Sequence, residues 1–155
     1  VAVHSSPPRG SGFGVVPLSI DPVVACFGLD HPLAKKKSVT LKELAGETLI
    51  VREKGTYTRD LIENALAKAG LPFDDILETD EWDSVRELVG AGLGVSLVSL
   101  PDSGRDNQIA RKPLKEPALE ITEYLIFDPE RRRVKTVRAF LDLAEKITGE
   151  QWYKL

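Results

Sequence analysis

Between residues 40 and 100 the chain alternates two hydrophobic patterns, and this alternation constrains the fold more than any other feature. "TLIV" is a compact apolar run of strand type. It gives way to a segment in which Leu61, Ile62, Ala65, Leu66 and Ala69 fall on one face of a 3.6-residue period. Gly70 and then Pro72 stop that helix. "DILET" reads as a strand, Val85, Leu88 and Val89 mark a second helix, and "GVSLVSL" is a strand again. Ser84 and Glu87 stand at capping spacing for that second helix. Thr40 and Glu43 in "TLKEL" have the same spacing, which predicts a short helix ended by Gly46. Strands joined through helices take parallel crossovers by default, so the class is α/β, built from βαβ units.

The flanks read differently. "VAVH" resembles a strand and leads into the Pro/Gly-rich stretch "SSPPRGSGFG", which carries turn chemistry. "VVPLSI" and "PVVACFG" are apolar runs separated by Asp21-Pro22, and "DHPLAKKKSVT" is a polar loop with a turn at His31. After residue 105, "QIARKPL" and "ITEYLIF" read as strands. Val134, Val137, Phe140, Leu141, Ala144 and Ile147 trace a long closing helix.

Composition excludes several functions. A chain of 155 residues holds one ordinary domain or two small lobes with a real core. No apolar run approaches the ~18 residues of a membrane span. A net charge of -3 gives no electrostatic case for direct nucleic-acid binding. Cys26 is alone, which rules out an internal disulfide framework or thiolate metal cluster and fits a reducing cytoplasm. There is no methionine, and residue 1 already belongs to an apolar run, so the chain reads as a fragment of something longer.

The glycine-rich stretches do not bind nucleotides by pattern. "GAGLG" (residues 90–94) follows a helix and precedes a strand, the reverse of a dinucleotide loop, and reads as a helix end with a tight turn. "RGSGFG" precedes no helix and reads as a loop. His4 and His31 are the only histidines, and neither has the spacing of a metal site. Cys26, inside an apolar strand pattern, reads as core. "KKK" (residues 35–37) and "RRR" (residues 131–133) read as solvated faces. The carboxylates scatter over helix faces, so no catalytic grouping, cofactor or metal site is expected and the chain does not read as an enzyme.

"REKGTYTRDL" (residues 52–61) is the exception. Thr58 is a candidate N-cap, its hydroxyl able to accept from a first-turn amide, and Gly55 lets the loop turn before it. Thr56 and Tyr57 then stand as hydroxyls beside the positive end of the helix dipole, with Arg52 just upstream. The loop also follows the C-terminal end of a strand, where open α/β sheets place ligands. Residue chemistry alone leaves two readings open: a well-capped loop, or a cradle for a carboxylate or phosphate.

The order of landmarks adds a resemblance. A His-Pro-Leu turn, a Leu-x-x-Leu helix, a strand, and a Gly/Thr loop ending in Thr58-Arg59 come first. An Ala-Gly-Leu helix end and "VGAGLGV" follow in the same sequence. The set, from about Val1 to Ile147, resembles the effector-binding region of LysR-type transcriptional regulators. That resemblance implies a periplasmic-binding-protein type 2-like fold of two Rossmann-type lobes joined by crossover strands. Residues 20–125 would form the complete second lobe, and residues 1–19 with 126–155 part of the first. The N-terminal winged helix-turn-helix would lie outside this chain, and DNA would be reached only through it.

The resemblance also implies a small effector, organic acid or similar anion, in the interlobe cleft. Arg52, Gly55, Thr56, Tyr57 and Thr58 would face it, with Ser99 a second polar contact and His4 and Ser5 at the first-lobe edge. Ser99 stands where relatives commonly place a proline, and Trp82 adds bulk near the expected cleft edge. A homodimer or higher oligomer in the cytoplasm is expected, and a partial first lobe would leave apolar surface for a neighbour to cover. The alternative from another class is an extracytoplasmic solute-binding protein of the same fold. An enzyme on this scaffold, such as a dehydratase, needs an acid–base pair that the residues do not supply.

Overall fold

The computed structural model describes residues 1–6, 12–104 and 107–148. Residues 7–11, in the Pro/Gly-rich stretch that includes "RGSG", lie outside the described residues. The chain divides into two compact units: Val1–Ile20 with Thr122–Leu155, and Asp21–Ile121.

The Asp21–Ile121 unit is built around a mixed sheet. Strand β4 (Leu49–Arg52) pairs in parallel with β5 (Ile76–Thr79), from Leu49 opposite Ile76 to Arg52 opposite Thr79. A parallel bridge from Leu49 to Val95 joins β4 to the start of β6 (Ser96–Ser99). The Ile50 amide donates to the Val95 carbonyl (2.8 Å), and the Ser96 hydroxyl to the Ile50 carbonyl (2.7 Å). Gly94 makes this approach possible, since a Cβ there would lie 2.4 Å from the Thr48 carbonyl oxygen. On the far side of β6 runs β2 (Gly14–Gly28), antiparallel to it, then β7 (Ile109–Lys115), and β7 pairs in parallel with β3 (Val39–Thr40). The βαβ reading therefore holds for β4, β5 and β6, whose C-terminal ends share one edge.

Both faces of this sheet are covered, and β4 and β6 at its centre bury nearly every residue. Successive side chains alternate: Leu49 and Val51 of β4 and Val23, Ala25 and Phe27 of β2 enter one cluster, while Ile50, Val24 and Cys26 enter another. The first cluster receives Leu41 and Leu44 from α1 (Leu41–Leu44) and Ile62, Ala65 and Leu66 from α2 (Tyr57–Lys68). The second receives Val85 and Val89 from α3 (Trp82–Gly90). Cys26 is a core residue, as its strand pattern predicts.

Helix ends follow local chemistry with one exception. Leu71 and Leu93 each donate their amide five residues back, to Leu66 and Leu88, so "AGL" closes α2 and α3 alike. At the start of α3, however, the N-cap is Glu81, and Ser84 sits inside the first turn rather than capping it. Trp82 begins the helix ahead of the residues whose periodicity announced it.

In the other unit, β8 (Glu120–Phe127) pairs antiparallel with β1 (Ala2–His4), and β2 lies on its other side. Helix α4 (Lys135–Thr148) buries Leu141 and Ala144 against Val16, Leu125 and Phe127. Its Phe140, Leu143 and Ile147 are exposed. The residues 131–133 end a 3-10 turn, Pro129–Arg133, just ahead of α4. Asp21-Pro22 does not separate two strands: β2 is continuous, because proline's fixed φ suits extended backbone, and the Pro22 carbonyl accepts from the Leu100 amide (2.9 Å). The break in the apolar pattern instead falls where β2 passes from one unit to the other.

Candidate functional site

The shared C-terminal edge of β4, β5 and β6 carries the candidate site. β4 ends at Arg52, and five residues later α2 begins at Tyr57. Gly55 supplies the turn with φ +93, a left-handed value that side chains resist, and the space beside its Cα is open. Thr56 follows in extended backbone (φ -81, ψ 140) and is the N-cap. This corrects the assignment of Thr58: the turn at Gly55 completes the reversal early, so the helix starts two residues sooner than a Thr58 cap requires.

The Thr56 hydroxyl does not cap the helix. It donates back to the Glu53 carbonyl (3.0 Å) and ties the loop to itself. Thr58, second residue of the helix, is 9 % exposed, and among the described residues its hydroxyl has no hydrogen-bond partner. A buried hydroxyl without a partner is costly, and here it stands in the first turn, where backbone amides lack helical acceptors. Tyr57 is partly exposed on the first turn.

Arg52 and Ser99 are present but engaged. Arg52 makes a two-pronged pair with its neighbour Glu53, Nε to Oε2 at 3.1 Å and a terminal nitrogen to Oε1 at 3.0 Å. Its guanidinium also lies 5.1 Å from the centre of the Trp82 ring. Arg52, through its hydrogen bonds, holds the Glu53 carboxyl below the usual carboxylate range. Ser99, at the end of adjoining β6, is buried and donates to Asp102 (2.6 Å). His4 and Ser5 belong to the other unit: His4 is exposed, with Nδ1 accepting from the Ser6 amide at 3.1 Å, and Ser5 donates to Glu123 at 2.8 Å.

Sequence reasoning missed Arg59. This guanidinium, third residue of α2, is 2 % exposed and bridges three elements. It donates to Glu63 on its own helix (2.6 Å), to Glu78 on β5 (2.5 Å) and to the Arg52 carbonyl on β4 (3.0 Å). Phe73 lies beneath it, with the ring centre 5.3 Å away. Burial alone would lower its pKa, but the hydrogen bonds to Glu63 and Glu78 outweigh burial and raise it. A signal was available: a cation in a helix's first turn opposes the dipole and needs a partner, and Glu63 stands four residues on. Among the described residues no group of three or more His, Cys, Asp or Glu side chains could hold a metal, and no helix is long and apolar enough to cross a membrane.

Residues 1–147 match the family model described as the LysR substrate binding domain. The chain belongs to that family. The HTH-type transcriptional activator CmpR of Synechocystis sp. (strain ATCC 27184 / PCC 6803 / Kazusa) is 27% identical over 139 residues, covering 88% of this chain and 46% of that protein. The RuBisCO operon transcriptional regulator of Allochromatium vinosum is 33% identical over 94 residues, or 61% of this chain and 31% of that protein. The chain thus spans less than half the length of these curated relatives. The CcmR regulatory domain of Synechocystis PCC6803, solved in complex with 2-PG, superposes with a TM-score of 0.79 at 22% identity, over 96% of this chain and 73% of that one. The effector binding domain of QuiR, solved with shikimate, gives 0.80 at 20% identity, over 97% and 72%. The periplasmic-binding-protein type 2-like α/β fold of LysR substrate-binding domains is therefore the fold of this chain. The relatives named are regulators of transcription.

Proposed function

We propose that this LysR substrate-binding domain senses a small anionic effector for a DNA-binding transcription regulator. The observation that carries the proposal is the start of α2: an N-terminus with no side-chain cap bond and, in its first turn, a buried Thr58 hydroxyl that has no partner among the described residues. First-turn amides, a hydroxyl and the positive end of a twelve-residue helix suit a carboxylate or phosphate. Two fold neighbours were solved with small ligands, 2-PG and shikimate, which supports a small-molecule reading.

In this proposal the Asp21–Ile121 unit is the second regulatory lobe, and Val1–Ile20 with Thr122–Leu155 belongs to the first. The effector is held by Gly55, Thr56, Tyr57 and Thr58 of the second lobe. Arg52 and Ser99 join once their internal partners let go. Binding acts on DNA through a separate domain, by favouring one arrangement of lobes or of subunits in a homodimer over another. No bond need be made or broken.

Calorimetric titration of this chain with shikimate, 2-PG and inorganic phosphate tests the site. Thr58→Val keeps the shape and removes the hydroxyl, and it is expected to weaken binding about ten-fold. Thr56→Ala loosens the loop and is expected to weaken binding less. Unchanged affinity in Thr58→Val removes the start of α2 from the site.

A further inference from the structure

Arg52 cannot meet an incoming anion as a free cation. Two of its nitrogens already donate to both carboxylate oxygens of Glu53, at 3.0 and 3.1 Å. Side chains of consecutive residues in a strand point to opposite faces, so such a pair requires Glu53 to have left the strand. It has: β4 ends at Arg52, and the Thr56 hydroxyl holds the Glu53 carbonyl at 3.0 Å within the turn. The other face of the guanidinium is set against Trp82. Arg52 is thus held on two sides while its partner Glu53 stays partly in water, the side chains being 18% and 40% exposed. An exposed carboxylate on a held guanidinium is the half that can swing away.

The neighbouring strand repeats the arrangement. Ser99 ends β6 with its hydroxyl donating to Asp102 at 2.6 Å, while the Asp102 amide donates back at 3.3 Å. Of the polar groups at this edge, those that end β4 and β6 are occupied by carboxylates of the chain itself. Thr58, in the helix, is not.

We infer that Glu53 is a specificity-determining residue, an internal carboxylate that occupies Arg52 and that an anionic effector must displace. The inference rests on the reading of the α2 start as the effector site and adds how that site selects. In the native chain a ligand with one acidic group gains the open helix end alone, because Glu53 holds Arg52. A ligand with a second anionic group gains Arg52 only by exchange, one carboxylate for another, so little net affinity follows from that contact in the native chain. Neutral ligands cannot make the exchange at all, because Glu53 outcompetes them for the guanidinium.

Inorganic phosphate is the probe, titrated into the full 155-residue chain and followed by calorimetry and by amide shifts of residues 53–60. Glu53→Gln is expected to bind phosphate on the order of ten-fold more tightly than the native chain, since a neutral amide holds Arg52 less firmly. In Glu53→Gln with Arg52→Gln the gain is expected to vanish. An equal or weaker affinity in Glu53→Gln, no binding to either protein, or a gain that survives loss of Arg52 overturns the inference. Thr58→Val separates it from the site reading. If Thr58→Val weakens phosphate binding while Glu53→Gln changes nothing, the exchange fails and the site stands. If Thr58→Val is silent while Glu53→Gln tightens through Arg52, the helix end fails as the site and the Glu53 lock on Arg52 remains.

Discussion

Helices α1 and α2 each begin with a threonine N-cap close after a strand, yet they treat their first turns in opposite ways. Three residues after Thr40 stands Glu43, which reaches back to accept from the Thr40 amide (2.7 Å) and hydroxyl (2.9 Å) and is paired with Lys36. Three residues after Thr56 stands Arg59, which reaches away from the cap, into β4 and β5. One residue difference at equivalent positions gives one helix start a capping-box carboxylate and the other an arginine that serves the neighbouring strands. The α1 start is a fold device, complete in itself. The α2 start is held from behind by Arg59, and its N-cap side chain makes no cap bond, which suits the proposed ligand site.

The largest expected effect comes from removing the hold on α2. Arg59→Met would leave Glu63 and Glu78 without their shared cation and the Arg52 carbonyl without its donor. Breaking a buried pair from one side costs about 3–5 kcal/mol; both glutamates are half in water, so about 3 kcal/mol is expected in chemical denaturation. Arg59→Lys keeps the charge but not the three-way geometry and is expected to lose less. Next comes Thr58→Val, whose ten-fold loss of affinity equals about 1.4 kcal/mol and is expected to leave stability nearly unchanged. The same kind of substitution at the closed end has the opposite signature: Thr40→Ala costs about 1 kcal/mol of stability and leaves ligand affinity alone. If both threonines change stability and neither changes affinity, the two helix starts are alike and the contrast dissolves.

What the sequence made legible follows the range of the interaction. The Thr40–Glu43 box spans three residues, and spacing announced it. The helices, the parallel β4, β5 and β6, and the burial of Cys26 came from periodicity, which records a two-sided core. Asp21-Pro22 was misread because one proline can interrupt a pattern or pass through extended backbone, and only the pairing of β2 decides. The cap is Thr56 rather than the expected Thr58 because Gly55 turns the chain early, which spacing does not record. Arg59 to Glu78 spans nineteen positions and was invisible. The Arg52–Glu53 pair was hidden in the opposite way, since adjacent residues in extended chain are expected to diverge. So the strand, turn and helix that carry the candidate residues were legible, while the internal partners that hold them were not.

The smallest effect concerns the acid limit of the closed helix end. Lys36, with the Thr40 hydroxyl and amide, lowers the Glu43 carboxyl from 4.5 to about 2. A carboxyl depressed by folding contributes stability that is fully present above its unfolded value, near 4.5, and lost as pH falls through about 2. Comparing the native chain with Glu43→Gln by denaturation across that range isolates the contribution. The stability difference is expected to be constant above pH 5, to shrink between pH 4.5 and 2, and to be gone below. The pair with Lys36 is solvated, so raising the salt concentration is expected to reduce the difference at every pH without moving its direction. A difference that grows as pH falls would mean that Glu43 is better protonated in the folded chain. The α1 start would then be no more closed than that of α2, and the contrast between Glu43 and Arg59 would lose its basis.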